Sequence, residues 1–186
     1  MAITVLLIAH GRPAEALVVL VCFCALLRVG EATNVCREDF VFGDAQLVLL
    51  LRTTKTGSHL RVVIDNGAVI MYLRGLLKRV EDPIRAAPTT YSTFRRHFTR
   101  ALMALGLNNH GFRSHSLRRG GATTLFMRNM PLSNIMIAGR WASESSCRLY
   151  VRTGEAGLIA TRRAESGNAG VRLLSALGTR LFDLTI

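Results

Sequence analysis

Apolar positions follow two different periods along this 186-residue chain. From Ala14 to Arg28 almost every residue is apolar, which reads as a buried helix ending near Gly30. Asp39–Phe42, Gln46–Thr53 and Leu60–Asp65 are short, rich in Val, Leu and Ile, and read as three strands. Between the last two, Thr54-Lys55-Thr56-Gly57-Ser58 is turn-like and puts Lys55 at a hairpin tip. A spacing of three and four residues then takes over. Val69, Ile70, Leu73, Leu76, Leu77 and Val80 form one helical stripe capped by Asn66. Phe94, Phe98, Ala101, Leu102 and Leu105 form a second, capped by Thr90 and closed by Gly106. Glu81–Pro88, with its two prolines, and Leu107–Ser114 are loops. His115–Met130 reads as a helix stopped before Pro131, Ser133 starts a short helix, and Ser143 caps one that carries Tyr150. Thr153–Gly170 is rich in Gly and Ala and reads as irregular. Leu173, Leu174, Leu177 and Leu181 mark a last helix, Val171–Phe182, which closes its own core or docks on a neighbouring subunit. The implied fold class is α+β, mainly α-helical with a small three-stranded antiparallel sheet.

Charge changes this picture. Lys and Arg number 24 against 12 Asp and Glu, a formal net charge of +12, and only Lys55 and Lys78 are lysines. Arginine binds phosphate oxygens through a planar fork, which suits a polyanionic partner; a solvated surface in an arginine-biased sequence is the competing explanation. From Pro83 to Trp141 there is no carboxylate, yet Arg85, Arg95, Arg96, Arg100, Arg113, Arg118, Arg119, Arg128 and Arg140 all fall there. A surface built only for solubility mixes its signs. A phosphate-bearing polyanion is therefore the expected partner, with Arg95, Arg96, Arg100, Arg113, Arg119 and Arg140 as its expected contacts.

Cys22, Cys24, Cys36 and Cys147 contain no CxxC pair, so no metal site is expected; Cys22 and Cys24 read as core residues of a reducing compartment. The apolar run Ala16–Leu27 is shorter than the roughly 20 residues that span a bilayer. Met1–Ala9 has no basic segment before it, unlike a signal peptide. The expected location is intracellular and DNA-associated, nuclear if the source is eukaryotic, with no membrane. No GxxxxGK[ST] loop is present, and no converging carboxylates suggest a two-metal nuclease.

His115-Ser116-Leu117-Arg118 puts an imidazole and a guanidinium on one helix face. Taken alone, this is an ordinary surface pair. Gly139-Arg140-Trp141, with Tyr150 nine residues after the tryptophan, reads by itself as two aromatics packing in a core. Arg28 and Glu31 read as a helix-end ion pair. In series, however, Arg28-Val29-Gly30-Glu31, Lys55 on a hairpin, His115-x-x-Arg118, Trp141 and Tyr150 resemble the tyrosine recombinase (phage integrase) family over roughly Ala14–Arg152. Leu27–Ala32 and His115–Thr123 are similar to its two arginine-bearing boxes. Trp141 stands where many relatives have histidine. The Gly139-Arg140-Trp141 form with Arg119-Gly120-Gly121 is most similar to recombinases of eukaryotic mobile elements.

The resemblance implies a catalytic set of Arg28, Lys55, His115, Arg118, Trp141 and Tyr150, supported by Glu31 and Gly139. It implies cleavage and rejoining of double-stranded DNA through a 3′-phosphotyrosyl bond, with no cofactor, metal or ATP. Physical chemistry suits these roles. A phenol is a weak nucleophile until its proton is taken, and fixed arginines stabilise the charge that builds on the non-bridging oxygens. Arginine is too basic to protonate the leaving 5′ oxygen, whereas Lys55 can once nearby positive charge and partial burial lower its pKa. His115 can shuttle the phenol's proton. The expected arrangement is a catalytic domain over residues 1–152 without the family's N-terminal DNA-clamping domain, followed by a tail over 153–186, with tetramers on paired sites. Two other readings stay open: a type IB topoisomerase-like enzyme and a non-catalytic DNA-binding remnant of a mobile element.

Overall fold

The first apolar run breaks at Leu26, and that break sets the position of Arg28 and Glu31. The computed structural model of the chain describes residues 2–54 and 57–151 and the single positions 169, 172 and 176. It opens with α1 (Ala2–Ala9), α2 (Pro13–Cys24) and the short α3 (Val29–Ala32). Pro13 starts α2 where a missing N–H costs nothing. The expected helix Ala14–Arg28 is corrected: α2 ends at Cys24, and Arg28 is the N-cap of α3. The cause is Leu26, fully buried yet at φ +52°, a left-handed conformation that costs a non-glycine residue about 1–2 kcal/mol. No glycine marks the turn, so the sequence hides it.

The sheet matches expectation closely. Strands β1 (Phe40–Phe42), β2 (Leu47–Thr54) and β3 (Gly57–Ile64) pair antiparallel in the order β1-β2-β3, with Leu47 opposite Ile64 and Leu49 opposite Val62. Phe40, Leu47, Leu49, Leu51, Val62 and Ile64 are buried, while Val41, Arg61 and Val63 face outward. Pairing continues to Thr54 opposite Gly57, so β3 starts three residues earlier than expected. Lys55 lies between those residues, outside the described ones.

The helices that follow are α4 (Gly67–Arg79), α5 (Tyr91–Ala104), α6 (His115–Met127) and α7 (Leu132–Gly139). A further helical stretch, α8, occupies residues 144–151. The expected caps form: Asn66 Oδ1 accepts from the Val69 N–H at 3.0 Å, and Thr90 Oγ1 from the Thr93 N–H at 3.2 Å. Ser143 Oγ accepts from the Ser146 N–H at the start of α8. Helix α6 stops at Met127 rather than Met130, because Asn129 turns to φ +61°. Helix α7 begins at Leu132 with Pro131 as its N-cap. Of the expected tail helix, only the helical positions Arg172 and Ala176 are described.

Two apolar cores result. The large one joins α1 to α5 and the sheet. The small one consists of Leu26, Ala122, Ile135 and Cys147, flanked by residues that include Met130, Met136 and Trp141. It holds α7 and α8 against α6. Helix α6 in turn lies directly on α2, at a distance set by Gly121. A Cβ there would stand 2.0 Å from the Phe23 carbonyl oxygen and 2.6 Å from a Leu26 methyl carbon. Gly121→Ala should therefore force α2 and α6 apart and destabilise the protein by about 3 kcal/mol, the upper end for overpacking. Chemical denaturation of the variant checks this; an unchanged midpoint would contradict the close approach.

Candidate active site

Glu31 is the centre of the site. It lies on α3, which follows the turn at Leu26 and packs against α2 and β2. Three guanidinium groups reach its carboxylate. Arg28 bonds Oε1 through Nη1 at 2.7 Å and also donates its backbone N–H to Oε2 at 2.8 Å. Arg140 Nη2 bonds Oε2 at 2.9 Å, and Arg118 Nη1 stands 3.9 Å from the same oxygen. Three positive charges thus share one negative charge. Arg118 and Arg140 are almost completely buried, whereas Arg28 stays partly open to solvent.

Backbone oxygens hold the two buried arginines. Arg118 donates to the carbonyls of Leu26, at 2.6 Å, and Gly139; Arg140 donates to those of Leu26, at 3.0 Å, and Ala138, at 3.1 Å. The strained turn at Leu26 therefore aims one carbonyl at two guanidinium groups. Nε of Arg118 and of Arg140 is buried without a hydrogen-bond partner among the described residues. Burial, then repulsion from Arg28 and Arg140, pulls the Arg118 guanidinium down to about 10, so it remains charged at neutral pH.

Trp141 and Tyr150 complete the cluster. The Arg118 guanidinium lies 4.6 Å from the Trp141 ring centroid, and the Trp141 and Tyr150 rings meet edge to face at 5.2 Å. Arg119 approaches the Tyr150 ring at 5.9 Å. Gly139 leaves room for this packing: a Cβ there would fall 1.8 Å from a Trp141 ring carbon. Thr123 Oγ1 donates to the Val151 carbonyl at 3.3 Å, fixing the end of α8 to α6. Of the six residues expected to be catalytic, the fold thus brings together Arg28, Arg118, Trp141 and Tyr150. His115 is exposed at the first position of α6, and Lys55 lies outside the described residues. Among the described residues there is no group of His, Cys, Asp or Glu that could hold a metal ion.

The phage integrase family profile matches residues 10–156. The chain belongs to the phage integrase family. The fold agrees. A structure of the XerH site-specific recombinase bound to a palindromic difH substrate, a post-cleavage complex, matches with TM-score 0.63 and 19% identity over 86% of this chain and 46% of that one. The pre-cleavage complex of XerH with difH matches with TM-score 0.62 and 19% identity over 76% of this chain and 44% of that one. This integrase-family chain thus corresponds to less than half of either recombinase chain. No curated protein matches its sequence.

Two features of this family member's site differ from the expectation or go beyond it. Arg140, expected on the DNA-facing surface, turns inward and leaves its side chain only 8% exposed, because Glu31 and the Ala138 and Leu26 carbonyls satisfy its guanidinium inside the fold. Arg95, Arg96, Arg100 and Arg113 are exposed as expected, and Arg119 is half-buried. The role of the Leu26 carbonyl has no signature in the residue pattern. The Gly120-Gly121 pair does carry one, since adjacent glycines inside a helix signal a close approach.

Glu31 also sets an acid limit. Burial alone would raise its pKa, but the Arg28 N–H, the Arg140 charge and the Arg28 side chain outweigh it and hold the carboxyl below its usual 4.5. A carboxyl depressed in the folded state contributes stability that is present above its unfolded pKa and lost as pH falls through its folded pKa. Stability should therefore drop as pH falls from about 4.5 downward, and Glu31→Gln should flatten that part of the curve. Urea unfolding from pH 6 to pH 3 measures both; parallel curves for the two proteins would refute the assignment.

Proposed function

We propose that this chain is the catalytic unit of a site-specific DNA recombinase. The phenol oxygen of Tyr150 attacks a backbone phosphorus, forming a 3′-phosphotyrosyl bond, and the P–O5′ bond breaks. Arg28 and Arg118 stabilise the charge that develops on the non-bridging oxygens, and the Trp141 N–H donates to the same phosphate. The phenol's proton passes to His115, and Lys55 gives a proton to the leaving 5′ oxygen; both roles rest on the family pattern. Reversal of these steps reseals the strand, and the phosphotyrosyl bond conserves the energy needed to do so without metal or ATP. Tetramers on paired DNA sites and the tail boundary at residue 153 belong to the same proposal.

The observation that carries it is the surplus of positive charge around Glu31, with Trp141 and Tyr150 packed edge to face beside Arg118. An anion supplied from outside would balance that surplus. The likeness to XerH captured on its DNA before and after cleavage supports the same reading. A second reading has one observation in its favour: both terminal nitrogens of Arg118 are already engaged by backbone carbonyls, as they would be in a DNA-binding protein that has no chemistry to perform.

A nicked suicide duplex separates the two. The recombinase reading predicts a covalent protein–DNA adduct that survives denaturation; DNA binding without adduct on any duplex supports the non-catalytic reading. In both cases log affinity should fall linearly with log salt, by roughly 0.9 for each phosphate neutralised. A flat salt response would remove DNA as the partner.

A further inference from the structure

At the end of α2 remote from Glu31, a cavity of about 220 Å³ opens between α1, α5 and the turn into α2. Leu6, Leu7, Ala101 and Ala104 form its apolar part, and His10, Arg12, His97 and Arg100 supply its polar groups. None of those four side chains has a hydrogen-bond or ion-pair partner among the described residues. His97 is only 7% exposed and lines the cavity with no hydrogen-bond partner among the described residues. A ligand with hydrogen-bonding groups suits such a lining better than an apolar one.

The surroundings specify the charge of that filler. His97 and Arg100 are one helical turn apart on α5, and Arg12 is the N-cap of α2, where the helix presents unbonded N–H groups and the positive end of its dipole. The charges acting on His97 are Glu15, Arg12, Arg96 and Arg100. Glu15, the sole carboxylate among them, is buried and its Oε1 accepts from Thr89 Oγ1 at 3.2 Å. A cation would meet two or more guanidinium groups here, and a purely apolar ligand would leave His97 unsatisfied.

We propose that this cavity is a second anion site, which takes a phosphoryl group against Arg12, Arg100 and His97. The group belongs either to a small phosphorylated molecule or to a backbone phosphate of bound DNA beyond the cleavage position. The site is distinct from the Glu31 cluster and does not require Tyr150 chemistry.

The probe is inorganic phosphate, titrated against the whole chain at constant ionic strength, with sodium chloride as balance and thermal unfolding as readout. Wild type should show a saturable rise in Tm, about 3 °C or more at tenfold over Kd. The double variant Arg12→Ala/Arg100→Ala, altered at two exposed side chains, should unfold normally without phosphate and lose the rise. His97→Gln should weaken it at least several-fold. No saturable rise in wild type overturns the proposal. So does a rise that persists in the double variant, since it would then come from the Glu31 cluster. Given the loss, DNA binding identifies the source. Phosphate that no longer raises the Tm once duplex is bound means that a DNA phosphate occupies the site, and an undiminished rise means a free phosphorylated ligand. Because phosphate binding is read without DNA or cleavage, an inactive recombinase would leave the test intact.

Discussion

Replacing Tyr150 with phenylalanine is expected to lower adduct formation on a suicide duplex by about 10³-fold or more, while DNA affinity and its salt slope stay unchanged. The substitution removes one oxygen and keeps the ring. Edge-to-face packing on Trp141 and the approach of Arg119 both involve the ring, so the surface seen by DNA is preserved. Denaturing electrophoresis of labelled duplex gives the yield, and filter binding gives the affinity. The chain has three tyrosines, which makes the result sharp. Tyr72 lies on α4 and is half-buried. Tyr91, at the start of α5, is exposed and hydrogen-bonds Ser114 at 3.4 Å. An adduct that persists in Tyr150→Phe would transfer the nucleophile to Tyr91 and dismantle the proposed geometry.

The second large effect should come from Glu31→Gln. The amide retains the shape of the side chain but not its charge, leaving three guanidinium groups facing one another. Two of them are buried and cannot relax into water. Breaking a buried ionic arrangement on one side typically costs about 3–5 kcal/mol, which in a chain of this length lowers Tm by roughly 6–20 °C. Activity should fall as well, since Arg28, Arg118 and Arg140 lose their common anchor. Calorimetry together with the adduct assay reads both. A Tm within about 2 °C of wild type would mean that the carbonyls of Leu26, Ala138 and Gly139 suffice to hold the arginines, and that the carboxylate is dispensable.

Much of this molecule is legible in its residues, for local reasons. The strands announce themselves as short runs of Val, Leu and Ile, and α4 and α5 by one apolar stripe each with a side-chain cap at the start. Those signals depend only on neighbours within a few residues. The site was legible as a series of side chains because each motif is short and keeps its spacing. Its wiring was not. Leu26 takes a left-handed turn within an unbroken apolar run, because the gain lies in long-range bonds to Arg118 and Arg140. Arg140 reads as one more surface cation, and only the position of Glu31, 109 residues away, turns it inward. Gly121 falls between: the paired glycines signal a close approach, but not that Phe23 and Leu26 are what they approach.

The division of the apolar residues into a large and a small core has a mechanical consequence. The helix bearing Tyr150 is seated by Cys147 and its few neighbours, not by the mass of the domain. Detaching it would expose little apolar surface, so its opening should cost a fraction of global unfolding. Amides of α7 and α8 should then exchange with deuterium well before those of α2, and a protease should nick this end first. Because Arg140 caps α7 and the Gly139 carbonyl holds Arg118, opening of this end would loosen the arginine cluster along with the helix that carries Tyr150.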